Sequence, residues 1–170
     1  MDLLQVPFTS AALLLAIAGV QKLRDPQSLS RGLRLAGLPH GTNVVRGLAA
    51  IEIATAAAAV IVHHRIVPLV VAVLYLSFAA FVTWALSRGL PIESCGCFGR
   101  GDARPSAAHV ALDTFAAAIA ALVALDDVEP VRALIADEPA TGVAVVTAAA
   151  VLASLTAAWL RGSRNRVAVR

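Results

Sequence analysis

The stretch IVPLVVAVLYLSFAAFVTWALS, Ile66–Ser87, decides the fold. It carries no charge and is longer than the roughly 20 apolar residues a helix needs to cross a hydrocarbon core of about 30 Å. Two more charge-free runs, Leu3–Gln21 and Pro139–Leu160, have similar length. Between them lie two apolar runs with embedded polar side chains: Val44–Val62 contains Arg46 and Glu52, and Ser106–Leu125 contains His109 and Asp113. The pattern predicts five spans, of which the second and fourth are the polar ones. The composition agrees, with 59% hydrophobic residues, 15% charged residues and a mean hydropathy of +0.79. Those values exclude a soluble domain. The expected architecture is an all-α integral membrane protein, a compact bundle of five transmembrane helices in a lipid bilayer.

The charges orient this bundle. Residues 1–5 contain no basic residue, and positive charge first comes after the apolar run, at Lys22 and Arg24. This reads as an uncleaved anchor with its N-terminus outside, not as a signal peptide. All of the 14 basic residues except Arg65 and Arg132 then fall on one side: the connection after span one, the connection around Arg88, Arg100 and Arg104, and the tail. The other side holds Asp126, Asp127, Glu129, Asp137 and Glu138. The positive-inside rule therefore places the C-terminus in the cytoplasm. The net charge of +3 is accounted for by topology and by attraction to the lipid surface, with no nucleic-acid footprint.

The chain reads as one helical domain without an internal repeat. Asp25–His40 is amphipathic, with Leu29, Leu33 and Leu38 set against Arg31 and Arg34, and Pro26 marks its start. It is expected to lie along the membrane surface. His63, His64 and Arg65 form a tight turn, Ser106 is positioned as an N-cap, and the acidic connection 126–141 has room for a short surface helix. His40, His63 and His64 are assigned to loops, where solvation accounts for them. Spans four and five are rich in alanine, which lets helices approach closely in lipid.

The two cysteines of the chain stand one residue apart in Ser94-Cys95-Gly96-Cys97-Phe98-Gly99, a short polar segment between spans three and four. A thiolate is the reactive form, and nearby cations and a helix N-terminus favour it. Arg100, Arg104 and the start of span four supply both, offset in part by Glu93 and Asp102. Gly96 relaxes the backbone between the thiols. A disulfide with one intervening residue is nevertheless tight, and strain makes it easier to reduce, which suits exchange better than stapling. Cys97 lies nearer Arg100 and the helix start and is expected to be the more acidic thiol. Two other readings stay open. The pair of thiolates suits a soft cation, with His109 as a further ligand and Glu52 and Asp113 lining a path. The alanine-rich helices suit a non-catalytic assembly subunit.

Alternation of the spans brings Lys22, Glu52, the cysteine segment, His109 and Asp113 into the same half of the bundle. Intramembrane carboxylates are costly unless paired or protonated. Lys22 has the reach to pair with Glu52, either as a framework ion pair or as part of a site. His109 and Asp113 are four residues apart on one helix face, where they either relay a proton to or from the thiols or simply satisfy one another.

These residues resemble a known family. Ala18-Gly19-Val20-Gln21-Lys22-Leu23-Arg24-Asp25-Pro26, Glu52 within Ala50–Ala54, and Cys95-Gly96-Cys97-Phe98-Gly99 are similar, in this order, to the motifs of the MauE proteins. These are methylamine-utilisation membrane proteins grouped with the DoxX-like redox-associated family. The resemblance, which covers Ala11 to about Leu125, implies a four-helix core over residues 1–125; the acidic loop, a fifth helix and a basic tail in 126–170 lie outside it. It implies a multi-pass protein of the bacterial plasma membrane that exchanges thiols and disulfides with a thioredoxin-like partner. In the type family this supports maturation of methylamine dehydrogenase. Cys95 and Cys97 would be the exchanging pair; on the reading of the residues themselves, Asp113 or His109 would manage the proton. Lys22, Glu52, Gly96, Phe98, Gly99 and Arg100 would support them. No cofactor is specified, and a quinone is left open as the electron partner.

Overall fold

The computed structural model describes residues 4–90, 106–126, 128 and 130–162. Within them are seven helices: α1 Gln5–Arg24, α2 Pro26–Leu35, α3 Thr42–Ile61, α4 Ile66–Ser87, α5 Ala107–Asp126, α6 Val131–Asp137 and α7 Pro139–Gly162. No strand is present among the described residues. Five of the helices, α1, α3, α4, α5 and α7, are long and apolar enough to cross a membrane. They coincide with the five runs read from the sequence, so the chain is a multi-pass membrane protein.

The helix ends follow from local chemistry. Asp25 precedes a proline and is driven out of the helical region, to φ −135° and ψ 75°, which separates α1 from α2. Pro26 then opens α2, where its missing N–H costs nothing. Gly89 ends α4 in the left-handed region at φ 57°. Its N–H donates to Leu86 O at 3.1 Å and the Leu90 N–H donates to Ala85 O at 3.1 Å, the paired closure that a glycine permits. This cap directly precedes the cysteine-bearing segment. His63 and His64 lie in the short turn between α3 and α4, and both are exposed, as is His40.

Helix α1 is the hub. Within its span 56% of residues are buried, against 22% for α7, and it touches α3, α5 and α7. Helices α4 and α5 form the other extensive pair, and α3 bridges to α4. The shared core contains Phe8, Leu15, Val71, Tyr75, Ile119 and Val123, with alanines filling the close approaches. The Tyr75 hydroxyl donates to Ala11 O at 2.7 Å and ties α4 to α1. Helix α7 packs on the outer face of α1 through Leu14, Ala153 and Ala157. The outward side chains, among them Val73, Leu76, Phe115, Val151 and Leu155, are exposed and apolar, as a lipid-facing surface requires.

The amphipathic segment is α2. It buries Pro26, Ser28, Leu29 and Gly32 and leaves Arg31 and Arg34 exposed. The acidic connection contains α6, packed on α7. Helix α1 runs beyond the charge-free stretch to Arg24, so Lys22 sits in its last turn rather than after it.

Candidate functional site

Up-and-down connectivity puts the end of α1, the start of α3, the end of α4 and the start of α5 at one end of the bundle. Segment 91–105 joins α4 to α5 at that end. Cys95, Gly96, Cys97, Phe98, Gly99 and Arg100 lie outside the described residues. What the structure places is two polar groups on the helices, one joining α1 to α3 and one at the start of α5.

The first group joins α1 to α3. The Lys22 Nζ lies 2.8 Å from Glu52 Oε1 and 3.0 Å from Oε2. The Oε2 contact has hydrogen-bond geometry, and the closer Oε1 approach is an ion contact off that direction. Both side chains are enclosed, Lys22 at 2% exposure and Glu52 at 0%. Glu52 lies about 15 Å along α3 from Thr42 at a rise of roughly 1.5 Å per residue, so Lys22 extends inward to meet it. The ammonium also sits 5.1 Å from the centroid of Phe78 on α4, a cation–π contact that brings a third helix to the pair. Tyr75 meets the same Phe78 edge to face, with ring centroids 6.2 Å apart.

Gly19 makes this meeting of helices possible. A Cβ there would lie 2.7 Å from Ile53 Cγ1, 2.9 Å from Ala49 O and 3.3 Å from Glu52 Cβ. The carbonyl is backbone and cannot step aside without moving α3. Gly19→Ala is therefore expected to destabilise the protein by about 1–3 kcal/mol. Gly47→Ala, where a Cβ meets nothing within 4 Å, is expected to be neutral or stabilising by up to about 1 kcal/mol. Detergent-titrated unfolding followed by circular dichroism separates the two.

The second group opens α5. Ser106 stands just before the helix, as expected of an N-cap, and its backbone O accepts from the N–H of His109 at 3.0 Å and of Val110 at 3.4 Å. Its hydroxyl lies 2.8 Å from His109 Nδ1. His109 is 3% exposed, and Asp113, one turn deeper on the same face, is 6% exposed. Two polar side chains are thus held inside the bundle within about 9 Å of the start of α5, at 1.5 Å per residue.

The structure brings together Lys22 with Glu52, and places His109 and Asp113 on one buried face. Sequence reasoning missed Phe78, the Ser106 hydroxyl contact and the reason for Gly19. A signal existed for Gly19, which lies three residues before Lys22 on the same helix face. Phe78 gave none, because its register against α1 depends on tertiary packing.

Residues 2–126, well over half of the chain, match the family model described as methylamine utilisation protein MauE. The match spans α1 to α5 and includes the cysteine segment. No curated protein matches the chain, and no solved structure does.

Proposed function

The chain belongs to the MauE family, and on that premise we propose that it is a membrane thiol–disulfide relay serving a thioredoxin-like partner. The observation that carries this reading is the placement of Cys95 and Cys97, the two cysteines of the chain, one residue apart in the segment between α4 and α5. Buried polar groups at the anchor of that segment support it, since proton transfer must accompany thiol exchange.

In the exchange, the thiolate of Cys97 attacks one sulfur of the partner's disulfide. A mixed disulfide forms and the partner's other sulfur leaves as a thiolate. The Cys95 thiolate then attacks the Cys97 sulfur and releases the partner's second thiolate. The partner gains two electrons, Cys95 and Cys97 lose two as their disulfide forms, and their two protons pass to the partner's sulfurs. Run in reverse, the Cys95–Cys97 disulfide oxidises a partner dithiol, and the Cys95/Cys97 dithiol so formed passes the electron pair and its protons to another disulfide or to a quinone. His109 and Asp113 manage the protons, and Lys22 with Glu52 holds the helices that frame the segment. Maturation of a client protein, with methylamine dehydrogenase as the family's type case, is the cellular role this chemistry serves.

Thiol trapping in intact cells tests the reading. Permeant and impermeant maleimides are compared with and without prior reduction. Labelling of Cys95 and Cys97 that rises after reduction is the expected result for an exchanging pair, with the permeant reagent alone effective if the pair faces the cytoplasm. Thiols fully labelled without reduction, and unchanged by oxidant, would overturn the relay and favour soft-cation binding by the two sulfurs.

A further inference from the structure

We propose that α2 is a binding site for anionic phospholipid, with the guanidinium groups of Arg31 and Arg34 on the headgroup phosphates and the leucines at its C-terminal end in the upper acyl layer. The inference is independent of the chemistry assigned to Cys95 and Cys97.

Helix α2 has two faces of different chemistry. Pro26, Ser28, Leu29 and Gly32 are buried against the bundle, where the helix touches α1 and α3. Gln27, Arg31 and Arg34 are exposed, as is Leu35, and the four follow the i, i+4, i+7, i+8 spacing of a single helix face. Gly37 closes the helix in the left-handed region at φ 68°. Its N–H donates to Arg34 O at 3.0 Å, and the Leu38 N–H donates to Leu33 O at 2.9 Å. That closure holds Leu38 against the last turn, which carries Arg34 and Leu35. Leu35 and Leu38 are 47% and 41% exposed, so leucine and arginine side chains share one outward surface.

Connectivity sets the depth of this surface. Helix α2 joins the end of one span, α1, to the start of the next, α3, and so lies at the level of the headgroups. The positive charge at this end is uncompensated among the described residues. Arg24, Arg31, Arg34, Arg46 and Arg88 are all exposed, and none of them has an ion-pair partner there. Of the described carboxylates at this end, Asp25 is half-buried and Glu52 and Asp113 are buried. Asp126, Asp137 and Glu138 lie at the opposite end. A guanidinium matches a phosphate group with two parallel hydrogen bonds, and arginines close to an anionic membrane surface are each attracted to it. A phospholipid supplies the phosphate and the acyl chain in one molecule, at the depth where α2 lies. That favours it over an acidic protein surface.

The test uses the purified full chain in a neutral detergent. It is titrated with phosphatidylglycerol, with phosphatidylcholine of the same acyl chains, with inorganic phosphate, or with a polyglutamate peptide. Bound lipid is counted by native mass spectrometry. The thermal unfolding midpoint is followed by circular dichroism, since a ligand of the folded state raises it. Phosphatidylglycerol is expected to bind and to raise the midpoint, and phosphatidylcholine to do so much more weakly. Arg31→Gln with Arg34→Gln is expected to weaken phosphatidylglycerol binding about 30-fold, roughly fivefold for each arginine withdrawn from an anionic surface. Arg31→Lys with Arg34→Lys keeps both charges and is expected to bind within about threefold of wild type. Arg132→Gln, at the opposite end, is expected to leave binding unchanged. Equal binding of the two lipids by the wild type, or undiminished selectivity in the glutamine variant, would overturn the proposal. So would a loss in Arg132→Gln as large as in the double variant, since that is an effect of net charge alone. A midpoint shift with inorganic phosphate or polyglutamate as large as with phosphatidylglycerol would also overturn it, and would assign the arginines to a free anion or to an acidic protein.

Discussion

Glu52→Ala is expected to destabilise the protein by about 3–5 kcal/mol, the cost of leaving one member of a buried ion pair without its partner. The substitution strands the Lys22 ammonium at 2% exposure, with the Phe78 ring beside it among the described residues. A cation–π contact is worth about 0.5–2 kcal/mol and does not replace a carboxylate at 2.8 Å. Lys22→Met is expected to cost a similar amount, since it strands Glu52 at 0% exposure. The double variant Lys22→Met, Glu52→Leu removes both charges and fills the space with apolar side chains of similar volume. Its stability is expected to return to within about 1 kcal/mol of wild type or to exceed it, because the desolvation of both ions is then relieved. Detergent-titrated unfolding of the wild type, Lys22→Met, Glu52→Leu and the double variant gives the coupling energy directly. Thiol exchange measured on the double variant then assigns the pair. Retained exchange is the expected result for a framework that holds α1, α3 and α4 together, and lost exchange in a folded double variant would place Lys22 and Glu52 in the chemistry instead.

The ion pair also shows how far the sequence could be read. Alternation of spans put Lys22 and Glu52 in the same half of the bundle, and the cost of a lone intramembrane charge made their pairing the natural outcome. The five spans were equally legible, since a run such as Ile66–Ser87 has no other stable location. Helix register was not. Whether Gly19 faces Ala49 and Ile53 depends on how two nearly featureless alanine-rich surfaces slide past each other, and hydropathy says nothing of that. The same holds for Phe78 beneath the Lys22 ammonium. Ser106 shows a different limit: its type and position predicted a backbone cap, but the choice between the His109 N–H and the His109 ring is made by side-chain rotamers. The charge-free run of the first span ends at Gln21, and Lys22 follows it in the sequence. Lysine can stay helical past that point by turning its long stem inward, and Lys22 does so.

Single serine substitutions at the two cysteines are expected to give opposite products, and this is the sharpest consequence of the relay. Cys97 is nearer Arg100 and the start of α5 in the sequence, so it is assigned the attack and Cys95 the resolution. Cys95→Ser then leaves an attacking thiol with no resolving partner. A mixed disulfide with the thioredoxin-like partner should accumulate and be visible as a reducible adduct on non-reducing gels. Cys97→Ser removes the attacking sulfur, and exchange should fall to the uncatalysed background with no adduct. The double variant should match Cys97→Ser. The difference depends on order of attack and not on folding, because serine is nearly isosteric with cysteine at both positions. An adduct seen with Cys97→Ser in place of Cys95→Ser would reverse the assignment and make Cys95 the attacking sulfur. Full function of the double variant in a cell that requires the protein would sink the relay altogether, because no other residue of the chain can carry a disulfide.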